Sequence, residues 1–514
     1  MTEGRRETAA PRGRQAWLGL RPRTLVALVA IAVLLVPLSI LSQPADSTSP
    51  GGVLARMRSA AGLSQSDLGE VDPSGETIRF ATLGLKNVAV CLLWDRAIHA
   101  KKVEDWTTLS ATLEQLTKLQ PHFYSVWDFQ AHNLSYNISV EFDDYRDRYA
   151  WVMKGIEFLR DGVALNKREP RLLGRMGWFI GQKIGKSDEK QQFRRMFKAD
   201  DDFHERDRPG RTLPERDNWL VAREKYLVAQ ELVDGGVPLK TTPLIFHSEP
   251  MMTAINHAQA LEADGVFGTR ARDAWKLAGE EMRRYALREI PTSWDVPIRL
   301  GLREDELARA ERLADELEQL LPGRFADLVA RRKEALSPEQ KRALEVPAPE
   351  RSEEQARLAA EAEAATKVTW AMVAREAPAD VRDRARELAR QLKEAEETAT
   401  IIDRYREIVN FDFWRAACEA EVTEPALRAR ERTWTARREY EQARLLPAKA
   451  AYEEAFQAWR EVVDASARLR DDSLFAGEIA DIVDRYRRVL EQLDEPFPQP
   501  FLLQDVIDKA GPRP

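Results

Sequence analysis

The chain has 514 residues, 44% hydrophobic and 32% charged, with 78 Lys and Arg against 85 Asp and Glu and a formal net charge of −7. A charged fraction above the roughly 25% of an average globular chain, with 25 Gly and 27 Pro, excludes collagenous, mucin-like and disulfide-scaffold classes. The negative balance offers no global attraction for phosphate backbones and no basic patch occurs beyond the N-terminal tail, so no nucleic-acid partner is expected.

Residues 1–23 form a basic tail carrying Arg5, Arg6, Arg12, Arg14, Arg21 and Arg23. Leu25 to Leu41 (LVALVAIAVLLVPLSIL) is uncharged and, at about 1.5 Å per residue, just long enough for a hydrocarbon core of about 30 Å. The sequence thus predicts a transmembrane helix over 24–41 in the cytoplasmic (inner) membrane. The arginines keep the N-terminus inside and leave the bulk of the chain extracytoplasmic. A secreted or periplasmic protein after signal cleavage is the alternative, with poor cleavage sites around Ser42 to Ala45. Residues 42–85 read as a tether and pre-domain segment.

From residue 86 small residues recur at fixed offsets. Trp127, Ala131 and Leu134 repeat Leu93, Ala97 and Ala100 at the period of about 34 residues that marks a tetratricopeptide (TPR) hairpin. Leu173, Gly177 and Ile180 repeat them again, after an apparent insertion around 141–149. Ala222, Tyr226 and Ala229, then Ala271, Trp275 and Ala278, fit the second helix of such a hairpin. There the small residues admit a neighbouring helix and the ring fills the groove between them. A TPR-like α-solenoid is predicted over 86–290.

Over 291–410 the texture becomes Ala, Arg, Glu and Leu. Val381, Ala385, Leu388, Leu392, Ala395, Ala399 and Ile402 step by four and three, the stripe of a coiled coil or long helical hairpin. It can pair within the chain or form a homodimer through 381–409. Ser337-Pro338 and 346–352 (VPAPERS) mark breaks between helices. Helical hairpins follow over 411–495, and a Pro-punctuated tail over 496–514 ends the chain. The fold class is all-α.

Chemical motifs are sparse. Gly181 to Ser187 (GQKIGKS) resembles a phosphate-binding loop but has three residues between its glycines where four are required, and a helical approach. Asn133 and Asn137 head glycosylation sequons on a helical stretch. Cys91 and Cys418 lie in apolar helical patterns and read as buried small hydrophobes, with a disulfide between them left open. Metal ligands are available in Asp200, Asp202 and His204 of the DDDFHERD stretch, joined by His247 and His257 if the chain folds back. No residue pattern marks a catalytic nucleophile.

Several stretches, LGEVDPSGE (68–76), 109–149, EPRLLGRMGWFIGQKIG (169–185), 216–234, IPTSWDVPIRL (290–300) and LEQLDEPFP (490–498), resemble a group of envelope proteins of planctomycete-type bacteria. That resemblance implies a membrane anchor and TPR-like helices, and no catalytic residues. The expected function is a non-enzymatic, membrane-anchored scaffold or assembly factor that binds protein partners on a helical surface without a cofactor. The alternative is a metal- or cofactor-binding envelope protein built on the acidic and histidine cluster.

Overall fold

The computed structural model describes residues 26, 29, 30, 33, 34, 36, 37, 40, 41, 51–60 and 86–510. Helix makes up 78% of the structure and no strand forms among the described residues, in agreement with the all-α reading. The basic tail, most of 24–41, most of 42–85 and the last residues of the Pro-punctuated tail lie outside the described residues. Among the described residues no helix is long and apolar enough to cross a membrane. This overturns the expected single-pass placement in the inner membrane, while the membrane contact expected through 24–41 falls mostly on residues outside the described ones. A span needs about 20 consecutive apolar residues, and the long helices described here carry charge along their length.

The chain folds as two compact units, residues 1–138 with 157–172 and residues 139–156 with 173–514. In the first, α1 (Val53–Ala60) precedes the hairpin of α2 (Lys86–Lys102) and α3 (Trp106–Leu119). Asp105 starts α3 by accepting from the Thr108 N–H at 3.0 Å, which satisfies a donor the helix itself leaves free. Leu109, Leu113 and Leu116 follow at helical spacing, are fully buried and close on Ala97 and Ala100 of α2. α4 (Tyr124–His132) runs on into a π turn, Asn133–Ile138. Its Trp127 donates from the indole to the Pro121 carbonyl at 2.7 Å and lies flat on Gly162 of α5 (Tyr145–Leu165). The sequon asparagines are engaged internally: Asn133 is buried and accepts from Asn137 at 3.1 Å. Cys91 on α2 is exposed, contrary to expectation, whereas Cys418 of the second unit is buried; both thiols are free.

The second unit opens with the residues before Glu157, of which 145–149 lie in the 21-residue α5, so that part of the expected insertion is helix. α6 (Pro170–Trp178) continues through a π turn (Phe179–Lys183) to Ile184–Lys186, and α7 (Lys190–Lys198) and α8 (Asp201–Asp207) intervene before α9 (Asn218–Asp234) packs back. Gly177, Gly181 and Gly185 make the seam for that packing. A Cβ on Gly185 would fall 2.4 Å from Trp219 Cζ2, and one on Gly181 3.0 Å from Trp219 Cζ3, while Gly177 faces Tyr226. The phosphate-loop-like stretch is therefore a helix-packing surface. Next, α10 (Pro243–Ala263) and α11 (Thr269–Leu287) pair through Ala254, Ala258, Ala274, Trp275 and Ala278, all buried.

α12 (Arg303–Leu320), α13 (Arg324–Glu334), α14 (Pro338–Glu345), α15 (Glu353–Thr366), α16 (Trp370–Arg375) and α17 (Arg382–Ile408) occupy the charged region. Its breaks fall between helices as predicted, with Ser337 and Ser352 each closing a capping box. Ala385, Leu388, Leu392 and Ala395 of α17 are buried against Ala310, Leu313 and Leu317 of α12. The stripe from Ala385 to Ala395 is thus covered within the chain, and a homodimer through 381–409 would have to use another face of α17. α18 (Phe411–Glu421), α19 (Glu424–Glu441), α20 (Leu445–Ala465), α21 (Ala467–Arg470), α22 (Ser473–Gln492) and α23 (Gln504–Ile507) complete the unit. Phe501 and Leu503 of the tail fold back into their core.

A buried charge cluster joins these helices. Arg430 of α19 pairs with Glu421 of α18 and Glu478 of α22, has Glu262 of α10 at 4.0 Å, and lies over the Trp459 ring at 4.7 Å. Glu262 also accepts from Trp275 Nε1 at 2.7 Å. Burial, then the charge of Glu421, pushes the Glu262 carboxyl up to about 7, and burial raises Glu421 as well.

Two outcomes follow from this packing. Gly185→Ala should cost about 1–3 kcal/mol in chemical denaturation through overpacking on Trp219. Gly174→Ala, with no atom nearer than 3.9 Å, should gain up to about 1 kcal/mol of helix propensity; equal effects would contradict the seam. Secondly, folded Glu262 holds between pH 4.5 and about 7 a proton that the unfolded chain releases, so its contribution falls as pH rises through that window. Glu262→Gln keeps an acceptor for Trp275 and should flatten the fall in melting temperature between those pH values. Parallel profiles would show that Glu262 titrates normally.

Candidate interaction groove

The residues singled out as metal ligands have separate surroundings. Asp200 caps α8 by accepting from the Phe203 N–H at 2.9 Å, and takes the Tyr149 hydroxyl at 3.2 Å. Asp202, in the first turn of α8, is exposed. His204 is fully buried, with Nε2 2.8 Å from the Phe197 carbonyl and Nδ1 facing the Arg211 guanidinium at 3.4 Å. Since a guanidinium only donates, Nδ1 is the acceptor and Nε2 carries the proton. Burial holds this imidazole below its ordinary value, and burial followed by the Arg288 charge pushes His247 down to about 4. His257 Nδ1 is 3.0 Å from Asp217, which also caps α9 and pairs with Arg194 at 3.4 Å. Among the described residues no group of three or more His, Cys, Asp or Glu side chains could hold a metal ion.

A different feature stands out on the surface of the second unit. Between α11 and the short turn Leu300–Leu302, the chain IPTSWDVPI (290–298) closes a tight loop. Ile290 and Ile298 exchange both backbone hydrogen bonds, at 2.8 and 3.0 Å, and their side chains are buried. Thr292 Oγ1 donates to the Val296 carbonyl at 2.8 Å and accepts the Trp294 N–H at 3.2 Å. Pro291 and Pro297 fix their own φ angles, and Asp295 takes the left-handed turn conformation at φ 56°. This loop carries Trp294 at its tip with 49% of its surface exposed, although Trp is ordinarily well buried.

Trp294 leans against α17, its ring 6.2 Å from that of Tyr405 at 62°, with the Arg404 guanidinium 5.8 Å from its centroid. A groove of about 590 Å³ runs alongside, walled by Trp294, Val296, Ile401, Arg309, Arg404 and the glutamates 394 and 397. Three of its charges are already matched: Glu394 pairs with Arg390, Glu397 with Lys393 at 3.5 Å and Arg309 with Glu306 at 3.4 Å. Arg404 has no ion pair among the described residues.

A second hollow, of about 490 Å³, lies between α11 and α18 and is lined by Trp275, Met282, Cys418 and Val422. Burial, then the charges of Glu421 and Glu419, pushes the Cys418 thiol up to about 12. It stays protonated near neutral pH and is a poor nucleophile or ligand there. In the first unit a cleft of about 440 Å³ is lined by Trp94, Ala97, Ile98 and Phe129, with Lys101 over the Phe129 ring. With this geometry in hand, the chain matches no protein-family model, no curated protein and no solved structure.

The sequence reading passed over Trp294 because its region is dominated by charged helices. A signal was present, a tryptophan among turn-forming Thr, Ser and Asp and between two prolines, which presents a ring at a tip. Thr292→Val removes the hydroxyl that ties both sides of this loop. It should cost about 1–2 kcal/mol and speed hydrogen exchange at the Trp294 amide. Unchanged protection there would show that the hydroxyl does not hold the loop.

Proposed function

We propose that the protein is a non-enzymatic scaffold or assembly factor that docks protein partners on a TPR-like helical surface. The observation that carries this reading is Trp294, held half-exposed by a hydrogen-bonded loop beside a groove that Val296 and Ile401 also line. Large aromatic side chains dominate binding energy at protein interfaces, and a ring already fixed in place loses little conformational entropy on association. The groove's charges are mostly tied into ion pairs along the helix surface, an arrangement suited to recognition. Support for the TPR-like assignment comes from the packing of the small residues. Ala222, Ala229, Ala271 and Ala278 are fully buried around the rings of Tyr226 and Trp275, as that hairpin pattern requires.

The test is a cross-linking pull-down of the full-length protein from its native cells, run beside Trp294→Ala with folding checked by circular dichroism. Loss of an anchor worth about 2 kcal/mol lowers affinity about 30-fold, so a partner recovered with the unaltered protein should largely disappear. Undiminished recovery would refute docking at this groove.

A further inference from the structure

We infer that the segment seated in the Trp294 groove is an acidic peptide of a protein partner, one that places a carboxylate beside an apolar side chain. This rests on the docking function proposed above and specifies its partner chemically. Of the four charged side chains lining the groove, Glu394, Glu397 and Arg309 already have counter-charges within one helical turn. Arg404 is exposed and has none among the described residues. Its guanidinium sits 5.8 Å from the Trp294 ring centroid, a contact that orients the cation without neutralising it. The unmatched charge and the unmatched ring are therefore neighbours. A planar guanidinium fork is best satisfied by a carboxylate held bidentately.

The apolar half of the recognition is laid out on the same face. Ile401, Tyr405 and Ile408 follow at spacings of four and three on α17, which places them in one row, and Ile408 is 63% exposed. Arg404 and Ile408 are one turn apart. A partner that covers Trp294 and Ile408 thus brings its own flanking residues onto Arg404. A basic segment would put like charge against Arg404, the one charge of the lining without an ion partner among the described residues. A single-stranded nucleic acid could stack a base on Trp294, but its repeating phosphates would also run past Glu394 and Glu397.

The experiment is selection of a displayed library of random 12-residue peptides on the full-length protein, with each recovered peptide re-measured on Trp294→Ala. Peptides that lose about tenfold or more on that variant should carry Asp or Glu next to, or one helical turn from, a Trp, Phe, Leu or Ile. For these, Arg404→Glu should weaken binding about tenfold while Arg404→Lys retains most of it. Replacing the peptide carboxylate by lysine should restore binding to Arg404→Glu. Trp294-dependent peptides with no acidic preference, or indifferent to Arg404→Glu, would overturn this inference and leave the docking function standing. If no peptide depends on Trp294, both fall. Self-association of the full chain in sedimentation, or binding of oligo(dT), that Trp294→Ala abolishes would assign the groove to another occupant and overturn the inference.

Discussion

Arg430 sits largely buried among three carboxylates from three different helices, and the packing of the second unit depends on that arrangement. Removing a guanidinium from water is costly, and the cost is offset only if the surrounding groups supply charge and hydrogen bonds in good geometry. Glu421 and Glu478 supply the charge, Trp459 covers one face, and Glu262 completes the set while holding the Trp275 indole. Each partner lies on a different element, so α10, α11, α18, α19, α20 and α22 must all be in place together. A cluster of this kind favours one register of otherwise similar Ala-rich helices, which could slide on one another with little penalty.

That constraint reaches the surface groove through a short chain of contacts. Glu262 fixes Trp275, Trp275 fixes α11, and the C-terminal end of α11 leads directly into the loop that carries Trp294. The loop stem, Ile290 and Ile298, packs in the same core as Ile402 of α17 and Phe411 of α18. Both walls of the groove are therefore founded on one hydrophobic cluster. In the docking role proposed for it, a groove founded in this way would need little rearrangement to accept a ligand.

Glycine has a comparable role at the start of the second unit. The seam of Gly177, Gly181 and Gly185 exists because Trp219 and Tyr226 of α9 need the volume that side chains there would occupy. Read as sequence, the same glycines beside Lys183 and Lys186 imitate a phosphate loop. Only the position of Trp219, more than thirty residues further along the chain, separates the two meanings. α7 and α8 are helical by every local criterion, and nothing local states that they stand between α6 and the α9 helix that packs on its glycines.

Local periodicity was enough to establish an all-helical chain, the breaks at Ser337 and Ser352, the buried alanines flanking Tyr226 and Trp275, and the apolar stripe of α17. These follow from spacings of three and four residues, which a helix converts directly into a face. What covers each face is decided by contacts between residues distant in sequence. α12 covers the α17 stripe, Asp200, His204 and His257 end in separate internal bonds while His247 is buried apart from them, and Trp294 stays half-exposed beside Arg404. Such convergence depends on how whole helices pack, and no spacing within a single helix encodes it.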